Sequence, residues 1–109
     1  VICGSKGGDM GHILENIIFL ELSRRGGEIY VGKAGDTEID FIVIKEGQKT
    51  YYQVSLSVRD ETTLQRELKP LESMADSYPK YLITLDNEPV CYHNGIKQIY
   101  ALDWLTDRK

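Results

Sequence analysis

The chain has 109 residues, 41% of them hydrophobic and 28% charged, a size and balance that suit one compact domain with a buried core and leave no room for two. Its 13 basic against 17 acidic residues give a net charge of -4 and a pI near 5.1, which excludes the basic footprint of a free-standing, high-affinity nucleic-acid binder, so any contact with phosphate must be local. No run approaches the roughly 18 apolar residues that a membrane span needs, no signal-peptide pattern opens the chain, and Cys3 and Cys91 fit neither a disulfide framework nor a zinc site. A reducing cytoplasm is the expected setting, and a start at Val1 rather than Met suggests a piece of a longer protein.

In chain order, residues 1–10 read as a lead-in and residues 11–109 as one domain. The stretch Gly4 to Gly11 is glycine-rich but lacks the Gly-Lys-Ser/Thr ending of a phosphate-cradling loop. From Met10 to Arg25 the residues Met10, Ile13, Leu14, Ile17 and Leu20 recur at helical spacing, with Asp9 as N-cap and Gly26-Gly27 as the stop. EIYVGK predicts a short strand, and TEIDFIVI and TYYQVSLSV predict longer ones joined across KEGQK, a hairpin signal whose turn centres on Glu46-Gly47 or slips by one residue on both sides. Asp60 caps a second helical pattern with a stripe of Leu64, Leu68, Leu71, Ala75 and Tyr78, which Pro70 should kink or split. KYLITL reads as a buried central strand. A turn at Asn94-Gly95, a strand from Lys97 to Ala101 and a short helix close the chain. The order is α-β-β-β-α-β, then a final strand and helix, an α/β class with a mixed sheet flanked by helices.

The hairpin raises a question of parity. A turn at Glu46-Gly47 puts even residues of one strand on the same face as odd residues of the next. One face then carries Ile39, Phe41, Val43, Tyr52, Val54, Leu56 and Val58 and must be core. The other gathers Glu38, Asp40, Gln53, Ser55 and Ser57 at one end, beside Ile42, Ile44 and Tyr51, which ask for cover by a helix. A polar cluster at the rim of a packed surface points to a site, where the bland alternative is a solvated face. Glu15 adds a carboxylate: its neighbours at i+3, i+4 and i+7 are Ile18, Phe19 and Leu22, so it is half-buried, either as a satisfied acid or as part of the site. His12 and His93 read as surface or cap residues and make no zinc site.

The segments GHILEN, EIDF and YYQVS, in this order around helix-strand-strand-strand-helix, resemble the PD-(D/E)XK nuclease superfamily, whose fold is restriction-endonuclease-like. With VGK and YPKYLITLD they are similar to the nuclease-like domain at the C-terminus of a large group of prokaryotic AAA+ ATPases, over about Gly11 to Leu105. The resemblance implies a Mg²⁺ site in which Glu15, Asp40, Gln53 and Ser55 take the catalytic positions. Asp40, Gln53 and the main-chain carbonyl of Val54 would hold the ion, with Glu15 reaching it through water. The chain departs from the motif at Gln53, where an acid is expected, and at Ser55, where a lysine is expected. Lys33 and Arg66 are the candidates to supply the missing cation. The resemblance implies a Mg²⁺-dependent endonuclease on structured DNA or its weakened descendant. The alternative is a non-catalytic module that binds nucleic acid or protein for an ATPase portion of the same chain, which would hold any ATP. It leaves a homodimer open.

Overall fold

The computed structural model describes residues 6–34 and 37–106. Helix α1 (Lys6–Arg25) leads into three antiparallel strands, β1 (Glu28–Ala34), β2 (Thr37–Lys45) and β3 (Gln48–Ser55). Helix α2 (Glu61–Glu72) crosses over to β4 (Lys80–Thr84), which runs parallel to β3. A hairpin of β5 (Cys91–His93) and β6 (Ile96–Tyr100) then brings β6 parallel beside β4, and α3 (Ala101–Leu105) ends the described chain. The result is an α/β domain on one six-stranded mixed sheet of order β1-β2-β3-β4-β6-β5. No helix among the described residues is long and apolar enough to cross a membrane.

The sheet separates two cores. On one face Leu14, Ile18 and Leu22 of α1 and Trp104 of α3 pack on Phe41, Val43, Tyr52, Val54, Ile83 and Ile99. On the other, Leu68 and Leu71 of α2 pack on Ile39, Tyr51, Leu82 and Ile96. Each of these two helices covers its face with buried apolar residues at i, i+4 or i, i+3 spacing. Asp60 caps α2 as expected, its carboxylate accepting from the Thr63 N–H at 3.0 Å. Arg25 ties α1 to α3: its guanidinium lies 4.1 Å from the centre of the Trp104 ring and donates to the Trp104 carbonyl at 2.8 Å.

Four local expectations need correction. The helix α1 begins at Lys6, so the lead-in from Lys6 onward is helical and Asp9 lies inside the helix instead of capping it. Glycine lowers helix propensity by about 1 kcal/mol but does not forbid helical dihedrals; residues 1–5 lie outside the described residues. Pro70 does not split α2, which runs two residues past it; it only deprives the Arg66 carbonyl of its i+4 donor. The strand β3 stops at Ser55 rather than Val58, because the Val58 N–H turns away to the Asp86 carboxylate at 2.9 Å. A short strand, Cys91–His93, precedes the Asn94-Gly95 turn where none was expected.

The parity argument holds along most of the hairpin and breaks at one residue. Lys45 pairs with Gln48 and Phe41 with Tyr52, so the turn is the two residues Glu46 and Gly47. Farther along, Tyr30 pairs with Ile42 but Gly32 with Ile39, so Asp40 and Phe41 of β2 oppose Val31 alone. This is a β-bulge, and it flips everything beyond it. Ile39 therefore sits with Ile42 in the α2 core instead of with Phe41.

Both residues of the Glu46-Gly47 turn have positive φ, 54° and 80°, the signature of a type I′ turn that favours Asn-Gly. The second hairpin already uses Asn94-Gly95 at φ 53° and 86°. Glu46→Asn should therefore raise stability by about 0.5–1 kcal/mol, read as a higher urea midpoint with an unchanged slope.

Candidate functional site

Beyond the Phe41–Tyr52 pair the backbone ladder between β2 and β3 gives way to side chains. The Asp40 N–H donates to Gln53 Oε1 at 2.9 Å, and the Val54 N–H donates to Asp40 Oδ2 at 2.9 Å. A weaker bond runs from Gln53 Nε2 to the Glu38 carbonyl at 3.4 Å. Each side chain takes the place of a backbone partner, so the two strands part without orphaning their amides. Gln53 is only 5% exposed, and no described buried side-chain nitrogen or oxygen lacks a partner.

Where the strands part, a cleft of about 380 Å³ opens, lined by Glu15, Glu38, Asp40, Gln53, Val54, Arg66, Glu67 and Pro70. Burial above all, opposed by the Val54 N–H and reinforced by Glu15, Glu67 and Glu38, raises the Asp40 carboxyl to about 7. Glu67 is raised by burial, lowered by Arg66 and raised by Glu15. Two half-buried acids that resist ionising, chiefly through desolvation and partly through neighbouring carboxylates, with Arg66 as the opposing charge, mark the cleft as a candidate site. The Tyr51 N–H faces β4 through its bond to the Pro79 carbonyl. Alternation therefore turns the N–H and carbonyl of Val54 toward β2, into the gap.

The structure unites some of the expected residues and separates others. Asp40 and Gln53 meet, but through the gap between strands and not as neighbours on one face, because the bulge removes Asp40 from the alternation. Glu15 reaches the cleft from α1, although α1 packs on the face of Phe41 and Val54 and it is α2 that covers the face of Tyr51. Glu15 thus enters over the rim, and the helix that covers the polar face is α2, not the α1 that carries Glu15. Ser55 does not line the cleft: its hydroxyl donates to the Ser57 carbonyl at 3.2 Å. Lys33 is exposed and lies 3.8 Å from Glu38 at the margin, also outside the lining. Arg66 does line it. Gln53, expected as a ligand, has its oxygen occupied by the Asp40 N–H and serves to hold Asp40 in place.

Glu67 was missed. The signal was available: it lies three residues after Leu64 and four before Leu71, on the flank of the apolar stripe of α2, the same pattern that singled out Glu15.

No group of three His, Cys, Asp or Glu among the described residues is arranged to hold a metal as an all-protein cage. Mg²⁺ does not require one, since it keeps several waters and takes one or two carboxylates together with substrate phosphate. Asp40, with one oxygen outside its bond to Val54, and the Val54 carbonyl beside it fit that looser role, and Glu15 lines the same cleft.

No family model matches the chain, and no solved structure matches it. A Haemophilus influenzae protein, named only as uncharacterised, is 40% identical over 102 residues, which cover 94% of this chain and 25% of the relative. The chain thus spans about a quarter of the length of that curated relative.

Asp40 binds its proton more tightly folded than unfolded, so its contribution to stability is present below the ordinary carboxylate value of 3.8 and is lost as pH rises through about 7. Asp40→Asn keeps an acceptor for the Val54 N–H and removes the charge. In metal-free buffer it should melt higher than wild type at pH 8 and like wild type at pH 4, a difference that paired thermal melts will read.

Proposed function

We propose that this domain is a degenerate PD-(D/E)XK nuclease module, acting slowly with Mg²⁺ on branched or otherwise structured DNA, within a longer cytoplasmic ATPase chain. One observation carries the reading: Glu15, Asp40 and the Val54 carbonyl, the positions implied by the motif resemblance, converge on one acidic cleft at the point where β2 and β3 separate. Asp40 and the Val54 carbonyl are the residues that would hold Mg²⁺. When bound, the ion would offset phosphate charge and supply an activated water.

The chain's own groups have separate tasks in this reading. Gln53 fixes the Asp40 main chain, and Asp40 in turn fixes Val54, so the two oxygen donors are preorganised with respect to each other. Arg66 is the cation that faces the cleft, and it takes the place of the motif lysine that Ser55 cannot fill. Its guanidinium suits a phosphate oxygen better than a point charge does, because it offers several donors in one plane. Removing such a stabiliser costs about 10²–10³ in rate.

The experiment is a cleavage assay on a labelled four-way DNA junction and a linear duplex in Mg²⁺ and Mn²⁺. Slow, metal-dependent nicking of the junction is expected, abolished in Asp40→Asn and reduced about 100-fold in Arg66→Ala. The alternative, a non-catalytic binding module, draws on a specific observation: the Gln53 oxygen is committed to the Asp40 N–H, so the site has one formal ligand fewer than the motif requires. Absence of cleavage by folded wild type in both metals, with retained junction binding, would establish that alternative.

A further inference from the structure

The strand registers place an aromatic row across the face that carries α1 and α3. Phe41 pairs with Tyr52, Tyr52 with Tyr81, Tyr81 with Lys97, and Lys97 with Tyr92. Directly paired residues share a face, so these five side chains stand side by side over β2, β3, β4, β6 and β5. The first part of the row is covered. Phe19 of α1 lies 6.0 Å from Phe41, and Trp104 of α3 stands edge-on to Tyr52 at 5.8 Å. The last part is open, since α3, five residues long, sets its Trp104 on Tyr52 while Tyr92 stays exposed. There Tyr81 and Lys97 are half-buried and Tyr92 is 65% exposed, around a hollow of about 240 Å³ completed by Pro79, Lys80 and Gly95.

Spacing gives this opening a definite capacity. Tyr52 and Tyr81, on adjacent strands, stack at 5.3 Å and 17°. Tyr81 and Tyr92 are two strands apart, about 10 Å, which is two such stacking steps. The position between them is filled by Lys97, whose ammonium leans over the Tyr81 ring at 6.0 Å. A flat ring placed there would meet a tyrosine on either side, with a flexible cation beside it. Lys80 is not that cation, since its ammonium is held by the Asp76 carboxylate and by the carbonyls of Asp76 and Tyr78. Lys97 has no ion-pair partner among the described residues.

We infer that the Tyr81–Lys97–Tyr92 surface is a binding site for a nucleotide unit of a single nucleic-acid strand, with the base stacked against the tyrosines and Lys97 turned to its phosphate. Aromatic side chains on an open sheet face with an interleaved cation provide the stacking and charge that single strands use, and they do so without sequence preference. The surface runs from β4 to β5, two to four strand spacings or roughly 10–20 Å from β2, and it shares no lining residue with the acidic cleft. It has in common with the proposed nuclease reading only the class of ligand and requires neither metal nor cleavage. Placed there, it would hold a strand leaving a branch point while the cleft meets the duplex.

The test is fluorescence anisotropy of the 109-residue chain with a labelled oligothymidine of about 20 nucleotides in EDTA. Wild type should bind. Tyr92→Ala should weaken binding about tenfold, Tyr92→Phe should keep it, and Lys97→Ala should weaken it and flatten its dependence on salt between about 50 and 200 mM. Equal affinity of wild type and Tyr92→Ala would overturn the inference, as would no binding by wild type confirmed folded by circular dichroism. So would competition by AMP or ATP as tight as the oligonucleotide itself, which would make the ligand a free nucleotide, or equal binding of a duplex unaffected by either variant. Because every arm lacks metal, junction cleavage can fail while strand binding succeeds, or the reverse.

Discussion

Two side chains hold β2 and β3 together after their backbones have ceased to pair, and the geometry of the cleft depends on them. Up to Phe41 and Tyr52 the strands share an ordinary ladder. Beyond it, Gln53 receives the Asp40 amide and Asp40 receives the Val54 amide. A buried amide left without a partner costs about 1–3 kcal/mol, so strands parted by apolar residues would close again or be strained. The polar pair lets β2 diverge while β3 continues beside β4, and the cleft is the space so created. The same pair explains why Asp40 and Gln53 interrupt the apolar run of the two strands, and why Gln53 serves to hold Asp40 in place.

Much of this was legible in the sequence, for identifiable reasons. The Glu46-Gly47 turn fixed the register, and with it the inward face of Phe41, Val43, Tyr52 and Val54, because a two-residue turn leaves no freedom of phase. Asp60 marked the start of α2 through a local hydrogen bond that needs no tertiary context. The bulge at Asp40 was not legible, since it arises from pairing with β1, and Val31-Gly32 lies far from the hairpin that carries the pattern. That one insertion displaced Ile39 to the other core and moved Asp40 from a face into a gap. Helix α1 was recognised, but the face it would cover was not, because apolar residues occur on more than one of its sides: Leu14, Ile18 and Leu22 are buried, while Met10, Ile13, Ile17 and Leu20 are exposed. Ser55 failed as a site residue because it is the last residue of β3, where its hydroxyl turns to the Ser57 carbonyl instead of into the cleft.

The two faces of the sheet are covered unequally, and this asymmetry distributes its chemistry. Helix α2 lies beside the cleft and brings Arg66 and Glu67 to it, so the charged groups collect at the β2–β3 gap. Helix α3 is too short to shelter the far strands, so the aromatic row that begins as core at Phe41 and Tyr52 ends as surface at Tyr92. A net charge of -4 is therefore a poor guide to any one region: acids dominate the cleft, whereas Arg25 and Lys97 stand against aromatic rings along the opposite face.

The bulge has a second effect at the border of the sheet. Strand β1 is an outer strand, and an outer strand offers unpaired amides and carbonyls on which a foreign strand can grow. Val31 is 68% exposed there, an apolar invitation to such growth. The bulge that β2 forms beside it raises the local twist of this border, which makes it a poorer template for an added strand. At Gly32 the Ile42 side chain lies so close that an added methyl carbon would come within 2.2 Å of it, so the strand cannot be flattened by a residue of higher sheet propensity without displacing Ile42. The irregularity that places Asp40 in the gap thus also guards the domain against edge-to-edge aggregation.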